Sequence, residues 1–541
     1  MQHTPKHTIH TSLPGIRACK SWLALVIGTV LGVFAPALTQ AQSPPKIVLL
    51  HAFSGVNDGG EPAAGLLQGS DGNLYGTAAE GGAQNLGTVF KISLTGKLTL
   101  LHSFSGTDGA VPLAGLIQST DGYLYGTTNA QGTYNYGTVF RISPNGSNFQ
   151  TLHAFTDSSG SVSPLDGADP DAGLIQGQDG NFYGTTLAGG TYGWGTLFRI
   201  TPAGQESVLY SFEGPYPGGY SLPWDGAYPH SLIQASDGNF YGTTQYGGNE
   251  YSNTYSYGTV FSVSPSGQEI MLYRFSAPNP GSSINADGAN PLGGLVEDRL
   301  NPGTFYGTTQ SGGQTGFGTV FKITSAGSLT PLHSFLESGI STSDGYSPLA
   351  GLTQASDGNL YGTTSQGGGS AYGTVFQITP AGVERVLYTF SLLNSNQADT
   401  YGADPQAGLI QASDGNFYGT TFRGGANSLG TIFKLELAIL KLSPTKLSRD
   451  SSGNIVAQLT IKDTGYLTAS GVTITKSTLN AIATSMAQPI SLGDIASGST
   501  AQSTLTFPGS AGTSGQTVTL SISGTMFRTG KFTLSQKVTL P

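Results

Sequence analysis

The tripeptide Tyr-Gly-Thr occurs seven times in this chain of 541 residues, and its recurrence constrains the fold more than any other feature. The copies are spaced 50 to 65 residues apart and begin at Tyr75, Tyr125, Tyr183, Tyr241, Tyr306, Tyr361 and Tyr418. A repeat of this length is typical of solenoids and propellers, in which each unit buries its apolar surface against its neighbours.

Each repeat contains four strand-like segments, which we call a, b, c and d. In the second repeat they cover residues 114–118, 124–128, 137–142 and 151–155. The segments are rich in aromatic and β-branched residues and are bounded by Gly, Asp, Asn or Pro. Six of the seven links between a and b contain Asp-Gly, which favours a tight hairpin because Gly accepts positive φ. The pattern predicts one four-stranded antiparallel sheet per repeat.

The two ends of the repeat array are complementary. The first strand, beginning at Ile47, is a d segment that no a, b or c segment precedes, and the last repeat ends with a c segment at Leu435. Pairing these two segments completes a seventh sheet and removes two exposed edges. We therefore predict an all-β fold in which residues 46–437 form a seven-bladed β-propeller with 3+1 strand closure. A linear β-solenoid is the alternative.

The repeats resemble those of the GloVer family of exported bacterial proteins. That family reads Gly-Leu-Ile-Gln-x-x-Asp-Gly-Asn-hydrophobic-Tyr-Gly-Thr-Thr, then Gly-Gly, then Gly-Thr-Val-Phe-Lys-Ile, and residues 408–434 follow it closely. The resemblance covers residues 46–436 and implies secretion or surface display, without implying an activity. Two repeats depart from the pattern: the fourth has Pro229-His230-Ser231-Leu232, and the fifth has a longer a-to-b turn over residues 297–303.

Residues 1–41 have the features of a signal peptide. Lys6, Arg17 and Lys20 precede an apolar run from Trp22 to Val33, and small residues follow it up to Ala41. An uncleaved membrane anchor is the alternative. Cleavage would remove Cys19, the one cysteine, and with it any disulfide or thiol chemistry. We expect an exported protein, periplasmic, extracellular or at the cell surface, with no transmembrane segment in the mature chain.

The charge distribution separates two regions. Residues 42–439 contain 11 basic and 28 acidic side chains, whereas residues 440–541 contain 8 basic and 3 acidic ones. This acidic balance argues against nucleic acid as a partner. Residues 440–541 also lack Tyr-Gly-Thr and show alternating strands such as 455–461 and 518–522, which predict an immunoglobulin-like β-sandwich. Ile461-Lys-Asp-Thr-Gly465 followed by Ala469-Ser-Gly-Val-Thr-Ile474 resembles bacterial surface modules of the CARDB kind, which implies a spacer or docking role.

The loops that follow b and d segments emerge on one face of the predicted ring and are rich in aromatic residues. Flat rings beside Asn, Gln and Asp side chains suit sugars, which offer an apolar C–H face and a rim of hydroxyls. The residue before each c segment is a repeated position, for which packing between blades is the alternative role. We predict a ligand-binding site formed by Trp194, Tyr220, Trp224, Tyr246, Tyr251, Tyr255 and Tyr257.

Acidic residues and histidines also recur in the repeats. Six repeats have an Asp in an Asp-Gly-x-x-Pro phrase, at Asp58, Asp108, Asp166, Asp225, Asp287 and Asp344. Such an Asp commonly caps its own turn, and a calcium site is the alternative. His51, His102, His153 and His333 share one position in the d segments, which other repeats fill with Tyr, so we expect packing roles for them. We therefore predict no metal site and no cofactor.

The fourth repeat contains the unrepeated titratable residues that catalysis would need. Glu213, Asp225 and His230 are the catalytic candidates, since two carboxylates and an imidazole can perform acid/base chemistry on a glycosidic bond. Our first hypothesis is nevertheless a secreted or surface-displayed binding platform for a polysaccharide or glycan. The alternatives are a carbohydrate-active enzyme, lyase or hydrolase, using the same face, and a structural or adhesive protein with surface-protein partners.

Overall fold

The structure is a computed structural model with side chains. It describes residues 46–156, 164–213, 225–248, 257–278, 282, 284–336, 344–369, 371–391, 401–436, 440–443, 445–463, 469–496, 498–526 and 530–541. In these residues every regular element is a β-strand, apart from one turn of 3₁₀ helix at Gly509–Ala511. The prediction of an all-β chain is confirmed. No helix in the described residues is both long and apolar enough to span a membrane.

Four-stranded antiparallel sheets follow one another along the repeats. The chain starts with strand β1 (Lys46–Ala52). Sheet 1 contains β2 (Leu67–Gln68), β3 (Leu74–Ala78), β4 (Thr88–Ile92) and β5 (Leu98–Ser103). Sheet 2 contains β6 (Ile117–Gln118), β7 (Leu124–Thr128), β8 (Thr138–Ile142) and β9 (Gln150–Ala154). Sheet 3 contains β10 (Ile175–Gln176), β11 (Phe182–Thr186), β12 (Thr196–Ile200) and β13 (Glu206–Ser211).

The remaining repeats have the same strand order. Sheet 4 contains β14 (Ala227–Gln234), β15 (Phe240–Tyr246), β16 (Thr259–Val263) and β17 (Glu269–Arg274). Sheet 5 contains β18 (Val296–Glu297), β19 (Thr304–Thr309), β20 (Thr319–Thr324) and β21 (Leu329–Ser334). A short pair, β22 (Gly345–Tyr346) and β25 (Gln366–Gly367), flanks sheet 6, which contains β23 (Thr353–Gln354), β24 (Leu360–Thr364), β26 (Thr374–Ile378) and β27 (Glu384–Thr389).

Sheet 7 combines strands from the two ends of the array. It contains β28 (Ile410–Gln411), β29 (Phe417–Thr421), β30 (Thr431–Glu436) and, paired with β30, the first strand β1. In this antiparallel pair Ile47 lies opposite Leu435. The two unmatched segments at the ends of the array therefore complete one sheet.

Each sheet is hydrogen-bonded to the next through a threonine of the Tyr-Gly-Thr motif. The threonine hydroxyl donates a hydrogen bond to a backbone carbonyl at the start of the a segment of the next sheet. The seven pairs are Thr77–Ala114, Thr127–Ala172, Thr185–His230, Thr243–Gly293, Thr308–Ala350, Thr363–Ala407 and Thr420–Ala64. The last pair joins sheet 7 to sheet 1, so the sheets follow one another in a closed, propeller-like ring.

A second set of contacts explains the Gln of the repeat. The Gln Oε1 accepts a hydrogen bond from a backbone N–H in the a-to-b turn of the preceding sheet. For example, the N–H of Ser70 donates to Gln118 Oε1 at 2.7 Å. Ser413 donates in the same way to Gln68 at 2.8 Å, again linking sheet 7 to sheet 1. In the divergent fifth repeat Glu297 replaces the Gln and accepts from the backbone N–H of Ser236 at 2.9 Å. The longer turn of this repeat makes the same kind of contact with the next sheet, since the backbone N–H of Arg299 donates to Gln354 Oε1 at 2.9 Å.

The glycine of Tyr-Gly-Thr is required by packing. A Cβ atom on Gly76 would lie 2.6 Å from the Phe90 ring on the neighbouring strand and 2.9 Å from Leu66. That phenylalanine also contacts Phe53 of sheet 7 edge to face, with ring centroids 5.4 Å apart. Equivalent pairs of phenylalanines connect the other neighbouring sheets. The missing side chain makes room for the aromatic core between sheets.

Two further sheets follow the repeats. One contains β31 (Leu440–Leu442), β32 (Lys446–Arg449), β33 (Ile455–Asp463) and β37 (Thr500–Phe507). The other contains β34 (Ala469–Leu479), β35 (Ile482–Ala483), β36 (Ile490–Ile495), β38 (Thr517–Met526) and β39 (Gly530–Thr539). Their buried residues, such as Ile461 and Ile522, form one hydrophobic cluster. This part of the chain is thus a two-layered β structure with its own core.

Candidate functional site

The candidate site lies where the loops of sheets 3, 4 and 5 meet. Trp194 precedes β12, Tyr228 lies in β14, and Tyr246 ends β15. The rings of Trp194 and Tyr228 have centroids 6.0 Å apart at 72°, and those of Tyr228 and Tyr246 are 5.7 Å apart at 78°. All three side chains are partly exposed. They form a continuous group, which we call the aromatic row.

The backbone explains why this row forms. Tyr228 has a positive φ of 54°, and its N–H donates to the carbonyl of Trp194 at 3.1 Å. The residue before proline has this conformation and this bond in every repeat, as at Val111 and Asn290. Because the backbone is the same in all seven repeats, the side chain at this position is free to vary. Repeat four places a tyrosine there, between two other aromatic residues.

Tyr246 and Tyr257 line a cleft of about 430 Å³ together with Asn290, Gln310 and Ser311. The hydroxyl of Ser311 donates to Asn290 Oδ1 at 2.7 Å, and Asn290 Nδ2 donates to the carbonyl of Gln245 at 3.2 Å. These bonds fix the orientation of the amide. The cleft therefore combines two tyrosine rings with fixed amide and hydroxyl groups.

Trp194 and Tyr257 also pack against the core. Both occupy the repeated position before a c segment and contact the hydrophobic clusters between sheets, with their side chains partly exposed. A side chain at this position therefore packs against the core and remains partly exposed to solvent. Tyr220, Trp224, Tyr251 and Tyr255, the other predicted ligand-binding residues, lie outside the described residues.

The structure places the three catalytic candidates in two different environments. The backbone N–H of Glu213 donates to Asp225 Oδ2 at 2.8 Å, and the Tyr210 hydroxyl donates to the same oxygen at 2.6 Å. Burial raises the pKa of Asp225 to about 6. Glu213 is thus hydrogen-bonded to Asp225, whereas His230 has a different carboxylate beside it, that of Asp171.

His230 and Asp171 form a pair that the sequence did not indicate. In neighbouring repeats, each of these residues directly follows the proline of the Asp-Gly-x-x-Pro phrase. His230 Nδ1 lies 3.5 Å from Asp171 Oδ2. Their side chains are 13% and 18% exposed. Burial lowers the pKa of His230 to about 4 and raises the pKa of Asp171 to about 7. At neutral pH the pair is therefore a neutral imidazole beside a carboxyl group that titrates.

The recurring Asp of the Asp-Gly-x-x-Pro phrase has a hydrogen-bond partner in the d strand in each of six repeats. It accepts hydrogen bonds from backbone N–H groups after the d strand and from the d-strand His or Tyr, as in His51–Asp58 at 2.8 Å and Tyr273–Asp287 at 2.9 Å. The histidines that we assigned to packing therefore also bind a carboxylate. A side chain from the d strand of the next sheet can lie against such a pair. Phe149 of sheet 2 stacks on His102 of sheet 1, with ring centroids 3.7 Å apart.

These features define a propeller-like, all-β repeat protein with an aromatic cleft on its loop face. The chain belongs to the family described as the Gloeobacter/Verrucomicrobia repeat, whose pattern matches residues 37–222 and 220–401. This confirms the resemblance of the repeats. The curated proteins include no match to this chain.

The solved structures that match this chain have low sequence identity to it. A putative 6-phosphogluconolactonase from Bacteroides fragilis is 15% identical, with a TM-score of 0.41 over 80% of this chain and 98% of its own. One from Bacteroides uniformis is 14% identical, with a TM-score of 0.40 over 68% and 88%. A putative oxidoreductase (glucose dehydrogenase) from Thermus thermophilus is 14% identical, with a TM-score of 0.35 over 72% and 99%. Their activities are not transferable to this chain at such identities.

Proposed function

We propose that this chain is a secreted or surface-displayed glycan-binding platform, in which a seven-bladed β-propeller carries the binding site and an immunoglobulin-like module acts as a spacer. The observation that carries the proposal is the cleft between Tyr246 and Tyr257, continued by the aromatic row. Tyrosine and tryptophan rings offer flat apolar surfaces, and Asn290, Gln310 and Ser311 offer hydrogen-bonding groups to a sugar's hydroxyls. A site of this kind holds its ligand mainly by shape and stacking.

The finer architecture rests on two observations. Seven sheets among residues 46–437 are joined by equivalent threonine hydrogen bonds, including the bond from Thr420 to Ala64, which supports seven blades. The two sheets of residues 440–541 share one core, which supports an immunoglobulin-like sandwich. Export rests on residues 1–41, and N-terminal sequencing of protein recovered outside the cytoplasm tests it. A mature chain beginning at Gln42 is the expected result.

The binding proposal is tested on a glycan array, followed by calorimetry with the best-bound oligosaccharide and the chain from residue 42. Tyr246→Ala should lower the affinity about tenfold or more, since loss of a stacked ring costs on the order of 1.4 kcal/mol or more. Tyr246→Phe keeps the ring and should retain most of the affinity. Tyr134→Ala removes a tyrosine that is 51% exposed in a loop of sheet 2 and is the matched control. Equal affinity in all three variants, or no glycan bound, would overturn the site.

A carbohydrate-active enzyme using the same face is the second candidate function. The observation that favours it is the Asp171–His230 pair, because a carboxyl group with a pKa of about 7 can serve as a general acid. Release of reducing sugar or unsaturated product from a polysaccharide panel, abolished by Asp171→Asn, would support the enzyme. Binding without product release would leave the platform as the function.

A further inference from the structure

The outer edge of the ring carries a three-residue arrangement that varies from sheet to sheet. The first two residues are a His or Tyr of one sheet's d strand and the Asp that binds it. The third residue comes from the d strand of the next sheet, four positions before the His or Tyr of that strand. Around the ring this third position is Ile47, Leu98, Phe149, Glu206, Glu269, Leu329 and Glu384. Phe149 shows by its stacking on His102 that the third position contacts the pair.

In two of these places all three residues are metal-ligand types. His153, Asp166 and Glu206 meet between sheets 2 and 3, and His333, Asp344 and Glu384 meet between sheets 5 and 6. In each group the ligand atoms lie within 4.8 Å of one another. The same chemistry thus occurs at two equivalent, non-adjacent places of the ring.

In each group the histidine and the aspartate are close enough for one small divalent cation to bind both. His153 Nε2 lies 3.1 Å from Asp166 Oδ2, and His333 Nε2 lies 3.2 Å from Asp344 Oδ2. Two ligands bound to one cation at about 2.0–2.1 Å are roughly 3.0–3.4 Å apart. The His–Asp pairs of other repeats are equally close, as in His51–Asp58 at 2.8 Å, so the added glutamate is what sets these two groups apart from them.

The third ligand carries an unpaired oxygen at both places. Oε1 of Glu206 and Oε1 of Glu384 are buried, and among the described residues neither has a hydrogen-bond partner. A buried carboxylate oxygen without a donor is costly, on the order of 1–3 kcal/mol or more. A cation bound beside the imidazole would satisfy this oxygen and neutralise the second carboxylate.

We propose that His153, Asp166 and Glu206 form one divalent-cation site, and His333, Asp344 and Glu384 a second, each clamping the outer strands of two neighbouring sheets. One imidazole and two carboxylates select a cation of the zinc or manganese type over calcium, which prefers oxygen ligands alone. Three protein ligands leave coordination positions open to water. The sequence had predicted no metal site, because the glutamates lie about 50 residues from the histidines they meet.

The ring also contains a natural control. Between sheets 3 and 4 the arrangement is Tyr210, Asp225 and Glu269, in which a tyrosine replaces the histidine and donates to Asp225 at 2.6 Å. Among the described residues Oε1 of Glu269 is likewise buried without a partner, so the unpaired oxygen alone does not define a cation site and the imidazole is the difference. This place has both carboxylates but no imidazole, so we expect no cation there.

The test measures metal stoichiometry on the chain from residue 42 after chelation and dialysis against zinc chloride or, in parallel, manganese chloride. The wild-type chain should retain two equivalents of at least one of these metals, by mass spectrometry of the digested protein. Glu206→Gln should retain one equivalent and Glu206→Gln with Glu384→Gln none, whereas the control Glu269→Gln should retain two. Melting temperature should rise with metal in the wild type and not in the double variant.

Folding of the variants is checked by a second substitution. His153→Tyr copies the residue that sheets 3, 4 and 6 carry at this position, so the fold should tolerate it while one metal equivalent is lost. Failure of the wild type to retain either metal would overturn the proposal. Two equivalents in the Glu206→Gln, Glu384→Gln double variant would also overturn it, because the metal would then lie elsewhere.

Discussion

The hydroxyl of Thr420 donates a hydrogen bond of 3.0 Å to the carbonyl oxygen of Ala64, 356 residues earlier in the chain. The same bond between Thr127 and Ala172 spans 45 residues and joins two sheets that are consecutive in sequence. Both bonds are buried and have the same chemistry. Their comparison therefore isolates the contribution of ring closure.

We predict that Thr420→Val destabilises the repeat array as much as Thr127→Val does. Each substitution removes a donor and leaves a buried carbonyl without a partner, at a cost of about 1–3 kcal/mol. Urea unfolding followed by tryptophan fluorescence measures the change. A Thr420→Val variant with wild-type stability, beside a destabilised Thr127→Val variant, would show that sheets 7 and 1 do not meet in solution.

Gly76→Ala should destabilise the chain by about 1–3 kcal/mol, because its Cβ would overlap the Phe90 ring between sheets. Gly369→Ala is the matched control, since a Cβ there has no atom within 4 Å. The control should change the melting temperature little. Equal effects of the two substitutions would contradict the packing role of the motif glycine.

Glu269 should make stability depend on pH. Burial, with the charges of Asp225 and Glu213, raises the pKa of Glu269 from 4.5 to about 8. The folded chain therefore holds this proton where the unfolded chain releases it, so the contribution is complete below about pH 4.5 and is lost as the pH rises to about 8. Glu269→Gln cannot lose a proton, and its stability relative to the wild type should increase from pH 5 to pH 8.

The measurement for Glu269 is denaturant unfolding of both chains across this pH range, with a chelator present so that bound metal does not contribute. Parallel stability curves for the variant and the wild type would count against a protonated Glu269 in the folded state. The direction of the difference, rather than its size, decides the outcome.

Tyr228→Ala should weaken glycan binding by about tenfold, since its ring lies between Trp194 and Tyr246 and completes the aromatic row. Tyr192→Ala, a tyrosine that is 51% exposed in the same loop as Trp194, should leave the affinity unchanged. Calorimetry with the same oligosaccharide measures both. Equal losses would mean that exposed tyrosines bind sugar without regard to the row.

The repeat itself contained most of the information about the sheets. Asp-Gly turns, the glycine of Tyr-Gly-Thr and the alternating apolar residues act over a few residues, so they indicated the strand order directly. The pairing of Ile47 with Leu435 followed from the unmatched segments at the two ends of the array. The aromatic character of the loop face was also visible, and Trp194, Tyr246 and Tyr257 were selected from it. Tyr228 was not among the residues selected, because its contacts with Trp194 and Tyr246 depend on rings supplied by two neighbouring loops.

What the tertiary structure alone decided is which unrepeated side chains meet across sheets. His230 lies beside Asp171 and Glu206 beside His153, although 59 and 53 residues separate them. The repeat fixes the backbone by local turns and hydrogen bonds, which a sequence pattern expresses directly. The contacts between sheets depend on how each sheet packs against the next, and only the assembled ring brings those side chains within a few ångströms.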